Sequence, residues 1–137
     1  MDYFGNSGAG IIFYHRDTEE ILLGLRNFWV NEPNTWGTIG GKIEIGETPQ
    51  EAAKREAGEE ARIKGNYSMK LFYIYRDKTF SYYNFLVIVK NKFFPKISDE
   101  ISKFKWFHYN ELPKNLHFGM KYLLPNLRKI IENENKS

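Results

Sequence analysis

Residues 40–63 read GGKIEIGETPQEAAKREAGEEARI, and this stretch decides how the rest of the chain is read. Thr48-Pro49-Gln50-Glu51 sets a hydroxyl at an N-cap, a proline at the first helical position and a glutamate placed to complete a capping box. A helix is therefore expected to begin at Pro49 and to run to about Arg62. Gly65 is the expected stop, and Gly58 inside the helix costs about 1 kcal/mol relative to alanine. Glu56, Glu59 and Glu60 then stand at i, i+3 and i+4, within about a third of the helix circumference. Like charges at that spacing repel by some tenths of a kcal/mol per pair, so something positive should compensate. A hard divalent cation, Mg²⁺ or Mn²⁺, suits such a face because it takes oxygen ligands. The competing reading is a solvated acidic face neutralised by Lys54, Arg55 and Arg62.

Ala52, Ala53 and Ala57 give the same helix short side chains beside its acids, which permits close packing against a sheet and puts the carboxylates at a crevice. Glu47 follows the flexible Ile45-Gly46 step and can swing toward that crevice. Gly40-Gly41 supplies backbone that can approach a ligand closely and lend a carbonyl to a metal.

Outward from this helix, β-branched and aromatic residues cluster between turn signals over 8–14, 20–26, 70–76, 80–89 and 103–107, which are expected to be strands. Apolar residues recur at helical spacing over 120–133, which predicts a second helix. The polar end ENENKS, 132–137, is expected to fray. Strands in mixed order with two helices imply an α/β layered domain. At 137 residues, with 42% hydrophobic and 17% aromatic content, the chain is expected to form one domain over 1–137 with a sizeable core.

No apolar run is long enough to span a bilayer and the start lacks the pattern of a secretory signal, so a cytoplasmic location and no membrane partner are expected. Cysteine is absent, which removes disulfides, thiolate metal sites and cysteine nucleophiles. The formal charge of +3 is modest and dispersed, so nucleic acid is a possible partner but not the favoured one. His15, His108 and His117 match no metal spacing and are expected to be structural or exposed. Arg26, with Phe28 and Trp29 beyond it and Trp36 just before the glycines, is placed to bind phosphate and stack on a base; core packing competes for each aromatic.

The whole pattern resembles the Nudix box of the Nudix hydrolase superfamily. That box asks for glycine, five residues, glutamate, seven residues, Arg-Glu, an aliphatic residue, any residue, Glu-Glu, any residue, glycine and an aliphatic residue. Gly41, Glu47, Arg55, Glu56, Glu59, Glu60 and Ile63 fill the matching places. Ala57 is a small occupant of an aliphatic place, and Arg62 stands where the family has glycine, which affects packing and the helix exit without removing a metal-binding oxygen. The box covers about a sixth of the chain; the strand order and the segment 105–113 (KWFHYNELP) look like the family more loosely.

The resemblance implies an α/β/α sandwich with a mixed β-sheet and a metal-dependent hydrolase of a diphosphate linkage. The substrate is then a nucleoside diphosphate linked to another group: a nucleoside triphosphate, a nucleotide sugar or a dinucleoside polyphosphate. By the same resemblance, Glu56 and Glu60 are the principal metal ligands, Glu59 ligates a further ion or its water, and the Gly40 carbonyl completes the shell. Arg55 orients Glu47 by a two-point salt bridge. The general base is Glu59 or a loop acid beyond the box, for which Glu100 is well placed; a plain surface acid is the other reading of Glu100. Arg26, Phe28, Trp36, Gly41 and Glu47 are the residues expected at the substrate. A hydrolase of capped or 5′-phosphorylated RNA and an inactive nucleotide-binding module are the alternatives. A monomer and a homodimer are both compatible with the sequence.

Overall fold

The computed structural model describes residues 6–63, 65 and 67–136. Strands β1 (Ser7–His15) and β2 (Glu20–Arg26) are followed by the short β3 (Trp36–Gly37) and β4 (Ile39–Lys42), then by helix α1 (Pro49–Glu60). β5 (Lys70–Arg76), β6 (Ser81–Val89), β7 (Ile101–His108) and helix α2 (Phe118–Asn135) complete the order. One mixed sheet holds all seven strands: β3-β2-β1-β6-β5 in sequence, with β4 also on β1 and β7 also on β2. β1 and β6 run parallel, Ser7 against Ser81 through His15 against Val89; the other pairings are antiparallel.

Side chains alternate across the central strands, and both faces are buried. Ala9, Ile11 and Phe13 of β1 join Leu22, Phe85 and Val87 beneath Ala52, Ala53 and Ala57 of α1. Ile12 and Tyr14 point the other way and join Ile21, Leu23 and Leu86 against Met120, Leu123, Leu127 and Ile131 of α2. This is an α/β/α sandwich. Each fully buried aliphatic side chain, such as Ile11, Leu23 or Leu127, contributes about 1.5–3 kcal/mol. The alanines let α1 lie close to the sheet, which brings the glutamates of its neighbouring face to the edge of β4.

Four expectations are corrected. α1 stops at Glu60, because Ala61 caps it and Arg62 takes φ 56°, a left-handed conformation that ends the helix before Gly65. Gly40 and Gly41, outside every expected strand, lie in β4 and pair with Gly10 and Ala9 of β1. α2 starts earlier, with His117 Nδ1 accepting from the Gly119 amide at its N-cap. It also runs on through Asn135: Glu134 pairs with Arg16 and Lys70, and Asn135 bonds Tyr14 and Glu19, so the polar end is tied down; Ser137 lies outside the described residues. No helix among the described residues is long and apolar enough to cross a membrane.

Candidate active site

The entry to α1 satisfies every local rule. Thr48 Oγ1 accepts from the Glu51 amide at 3.1 Å and Glu51 returns a bond to the Thr48 amide at 2.9 Å. Ahead of it Gly46 takes φ 90°, which turns the chain so that Glu47 faces back along the helix. Arg55, two turns into α1, meets Glu47 at two points, Nε to Oε2 at 2.8 Å and Nη2 to Oε1 at 3.1 Å. The same guanidinium donates to Glu56 and Glu59, each at 3.0 Å, and to the carbonyl of Lys42 at 2.8 Å. The Arg55 bond and the Glu44 amide hold the Glu47 carboxyl below the usual range, while the bond to Glu47 raises the Arg55 guanidinium.

Glu56 and Glu60 are the sheltered acids. The Glu56 side chain is 15% exposed, and a Cβ on Gly41 would lie 2.5 Å from its carboxyl, so glycine is what lets β4 pass this close. Burial raises the Glu56 pKa; Arg55 opposes this, and the charges of Glu59 and Glu100 add to it. Glu60 Oε1 accepts from the Gly40 amide at 3.0 Å. Burial pushes the Glu60 carboxyl up to about 9, helped by a hydrogen bond with Glu100 and by the charge of Glu56. Glu100 thus enters the cluster from the turn before β7, where its carbonyl accepts from the Asn27 amide at 2.8 Å. Glu59 stands at the rim, with its side chain 60% exposed.

With the side chains as they stand, no three acids or histidines among the described residues converge in ligating geometry. Arg55 takes an oxygen of Glu56 and one of Glu59, and the Gly40 amide takes one of Glu60. The donor set nonetheless fits a hard cation. It offers only oxygen, its acids raise one another's pKa, and the Gly40 backbone lies against it, so a divalent ion would relieve a repulsion that the protein alone relieves by protonation.

A cleft of about 250 Å³ opens between the end of the sheet and the start of α2, walled by Tyr75, Phe80, Tyr82 and Phe118. Gly40 and Gly41 line it as well, so cleft and carboxylates share one wall of backbone. Arg26 reaches the cleft with Nε bonded to the Asn31 carbonyl at 2.7 Å. The Tyr82 ring lies over Gly8 and Gly10, where a Cβ would come within 2.7 Å and 2.5 Å of it, and its hydroxyl is 3.3 Å from Thr38 Oγ1. Burial pushes that phenol up to about 12, so it stays protonated. His117 also lines the cleft; burial lowers its pKa, and its Nε2 lies 3.2 Å from Glu32.

Of the residues singled out in the sequence, Glu47, Arg55, Glu56, Glu59, Glu60, Glu100, Gly40 and Gly41 are brought together, and Arg26 lines the adjoining cleft. Two aromatics are elsewhere. Trp36 is 8% exposed and packs edge-on against Phe107 in the core on the α2 side. Phe28 is 71% exposed, lies edge-on to Trp29, and is not among the side chains that line the cleft. His15 is a core residue bonded to Thr18 and the Lys90 carbonyl, and His108 pairs with Glu19. Thr38, Tyr75, Phe80, Tyr82, Asn84 and His117 also line the cleft, outside the residues expected there. The one sequence signal was a polar asparagine inside the apolar run of β6.

Comparison with known proteins follows the same outline. The model of the NUDIX domain matches residues 6–127, and the chain belongs to that family. A curated relative, the dihydroneopterin triphosphate diphosphatase of Haemophilus influenzae, is 35% identical over 63 residues, 46% of this chain and 38% of that protein. A nucleoside triphosphate pyrophosphatase/Nudix hydrolase fusion protein of Bifidobacterium longum is 39% identical over 67 residues, 44% of this chain and 14% of that protein. The matched regions are thus well under half the length of these relatives. Among solved structures, a C. elegans Ap4A hydrolase binary complex superposes with a TM-score of 0.76 at 22% identity, over 92% of this chain and 98% of that one. A MutT NUDIX hydrolase from Burkholderia pseudomallei gives 0.72 at 22%, over 89% and 97%. At these identities the structures speak for the fold. Nudix hydrolases generally use divalent metals such as Mg²⁺ or Mn²⁺.

Proposed function

We propose that this chain is a nucleotide pyrophosphohydrolase that cleaves a diphosphate linkage within a nucleoside triphosphate or a related compound, with Mg²⁺ or Mn²⁺ as cofactor. The observation that carries the reading is the shared wall: Gly40 and Gly41 touch the carboxylates on one side and the aromatic cleft on the other. A ligand with its ring in the cleft then has its phosphates beside the acids. The name of the Haemophilus influenzae relative, a triphosphate diphosphatase, supports this substrate class.

Hydrolysis requires water to attack phosphorus, the phosphorus–oxygen bond to the leaving phosphate to break, and a proton to leave the water. Glu56, Glu60 and the Gly40 carbonyl would hold the divalent ion, which supplies charge neutralisation on the phosphate oxygens. Arg55 keeps Glu47, Glu56 and Glu59 in register, so that the acidic face is preorganised. Glu59 and Glu100, the two exposed acids of the cluster, are the groups available to receive the proton. Arg26 supplies positive charge to the phosphates at the cleft mouth, and the cleft aromatics stack on the ring.

The test is a panel of nucleoside triphosphates, nucleotide sugars and dinucleoside polyphosphates assayed with Mg²⁺ and with Mn²⁺, products identified by mass in ¹⁸O-labelled water. The reading expects metal-dependent release of phosphate or pyrophosphate from at least one nucleotide and a loss of at least about 100-fold in Glu60→Gln. Turnover that persists in chelator, or in Glu60→Gln at the native rate, contradicts it.

A further inference from the structure

Asn84 is a polar residue in the middle of β6, 3% exposed, on the α2 face of the sheet, and it lines the cleft. Its amide nitrogen donates to the carbonyls of Tyr73 at 3.3 Å and Tyr82 at 3.4 Å. These two bonds fix which end of the amide is which, since the reverse orientation would set oxygen against two carbonyl oxygens. The carboxamide oxygen, Oδ1, is buried and accepts from no donor among the described residues. Across the sheet its parallel neighbour is Gly10, over which the Tyr82 hydroxyl and Thr38 Oγ1 lie.

A buried acceptor left unmade is costly, and the common resolution is a partner that the protein itself does not supply. Around it the cleft offers aromatic walls and no competing acid: the carboxylates lie beyond Gly40 and Gly41. A flat ring that stacks on those walls and turns an N–H edge toward the sheet would satisfy Asn84 once a side-chain shift uncovers Oδ1.

We propose that Asn84 is a specificity-determining residue whose Oδ1 accepts a hydrogen bond from an N–H of the substrate ring, so that the cleft selects purine-type nucleotides bearing such a donor. This rests on the nucleotide reading of the cleft and adds the ring chemistry to it. A bound ring without a donor leaves the oxygen unpaired in a desolvated place, and discrimination follows from that penalty.

The experiment compares Mg²⁺-supported binding by calorimetry, and turnover measured separately, for four triphosphates of the same sugar. Guanosine and inosine carry a ring N–H, adenosine carries only an exocyclic amino group, and purine riboside carries no donor on its base. The expected result is purine riboside triphosphate weaker than the best donor-bearing nucleotide by roughly 10- to 100-fold, with the order of inosine and adenosine telling ring N–H from amino donor. Asn84→Leu, checked for cooperative melting, is expected to bring the four within about threefold of one another. The proposal is overturned if purine riboside triphosphate binds as tightly as the others, if no purine nucleotide binds, or if folded Asn84→Leu keeps the preference. Should the variant not fold, the wild-type comparison decides alone. Binding that follows the donor while turnover is absent would overturn only the hydrolase reading; turnover blind to the donor would overturn only this one.

Discussion

The two ends of α1 differ in kind. At its start Thr48, Pro49 and Glu51 each do what a helix N-terminus asks, and the capping box closes with two bonds of about 3 Å. At its end the rules are broken: Glu59 and Glu60 sit against the negative end of the helix dipole, no basic residue occupies the last turn, and Arg62 adopts a left-handed φ of 56° without being glycine. The first end is built for stability. The second carries a cost that folding alone does not explain, which is where a site is to be sought.

Substitutions at the two ends should separate accordingly. Glu60→Gln, the largest expected effect, removes a proposed metal ligand; activity should fall by at least about 100-fold, while the metal-free protein, whose Glu60 is already neutral at about pH 7, melts no lower than the wild type. Gly40→Ala should cost about 3 kcal/mol in denaturant unfolding, because its Cβ would meet the Ala9 carbonyl at 2.2 Å and backbone cannot step aside. Gly41→Ala meets only the movable end of Glu56, so it should cost far less stability and still depress turnover. Thr48→Ala should lose about 1 kcal/mol with kcat nearly unchanged. Arg62→Gly, the smallest, should gain about 0.5–1 kcal/mol by relieving the left-handed residue.

The acids also predict opposite pH responses. The Glu60 carboxyl stands near 9 in the folded protein against an ordinary 4.5, so the folded state holds a proton that the unfolded chain gives up. Its contribution to stability is complete below about pH 4.5 and is lost as pH rises through 9. Glu47 is held low by Arg55, so its contribution is present above its ordinary value and fades as pH falls. Melting of the metal-free protein from pH 5 to 9 should show a decline that Glu60→Gln removes.

Much of this was legible in residues 40–63, because capping and carboxylate spacing are local chemistry. The bounds of β2 and β5 are legible to the residue in their apolar runs. Those of β3 and β4 are not, since two and four residues with glycines carry no periodicity and exist only through pairing with β1 and β2. The end of α2 escaped notice for a similar reason: Arg16 and Lys70, which anchor Glu134, are distant in the chain. Trp36 stands beside the glycines as a stacking candidate, yet the pleat turns it into the core; Tyr82, whose face strand alternation alone leaves open, lines the cleft. Glu100 joins the cluster through a long-range contact that spacing cannot reveal, although its position after the box had marked it as a candidate.

The central claim is that these acids share a cation, and proton counting tests it most directly. Mg²⁺ is titrated into the protein at pH 7.5 in two buffers of different ionisation enthalpy. Because Glu60 is protonated at that pH when no metal is bound, binding should release about one proton, and Glu60→Gln should abolish both the release and most of the affinity. Binding with no proton released, and equal in Glu60→Gln, would contradict the account.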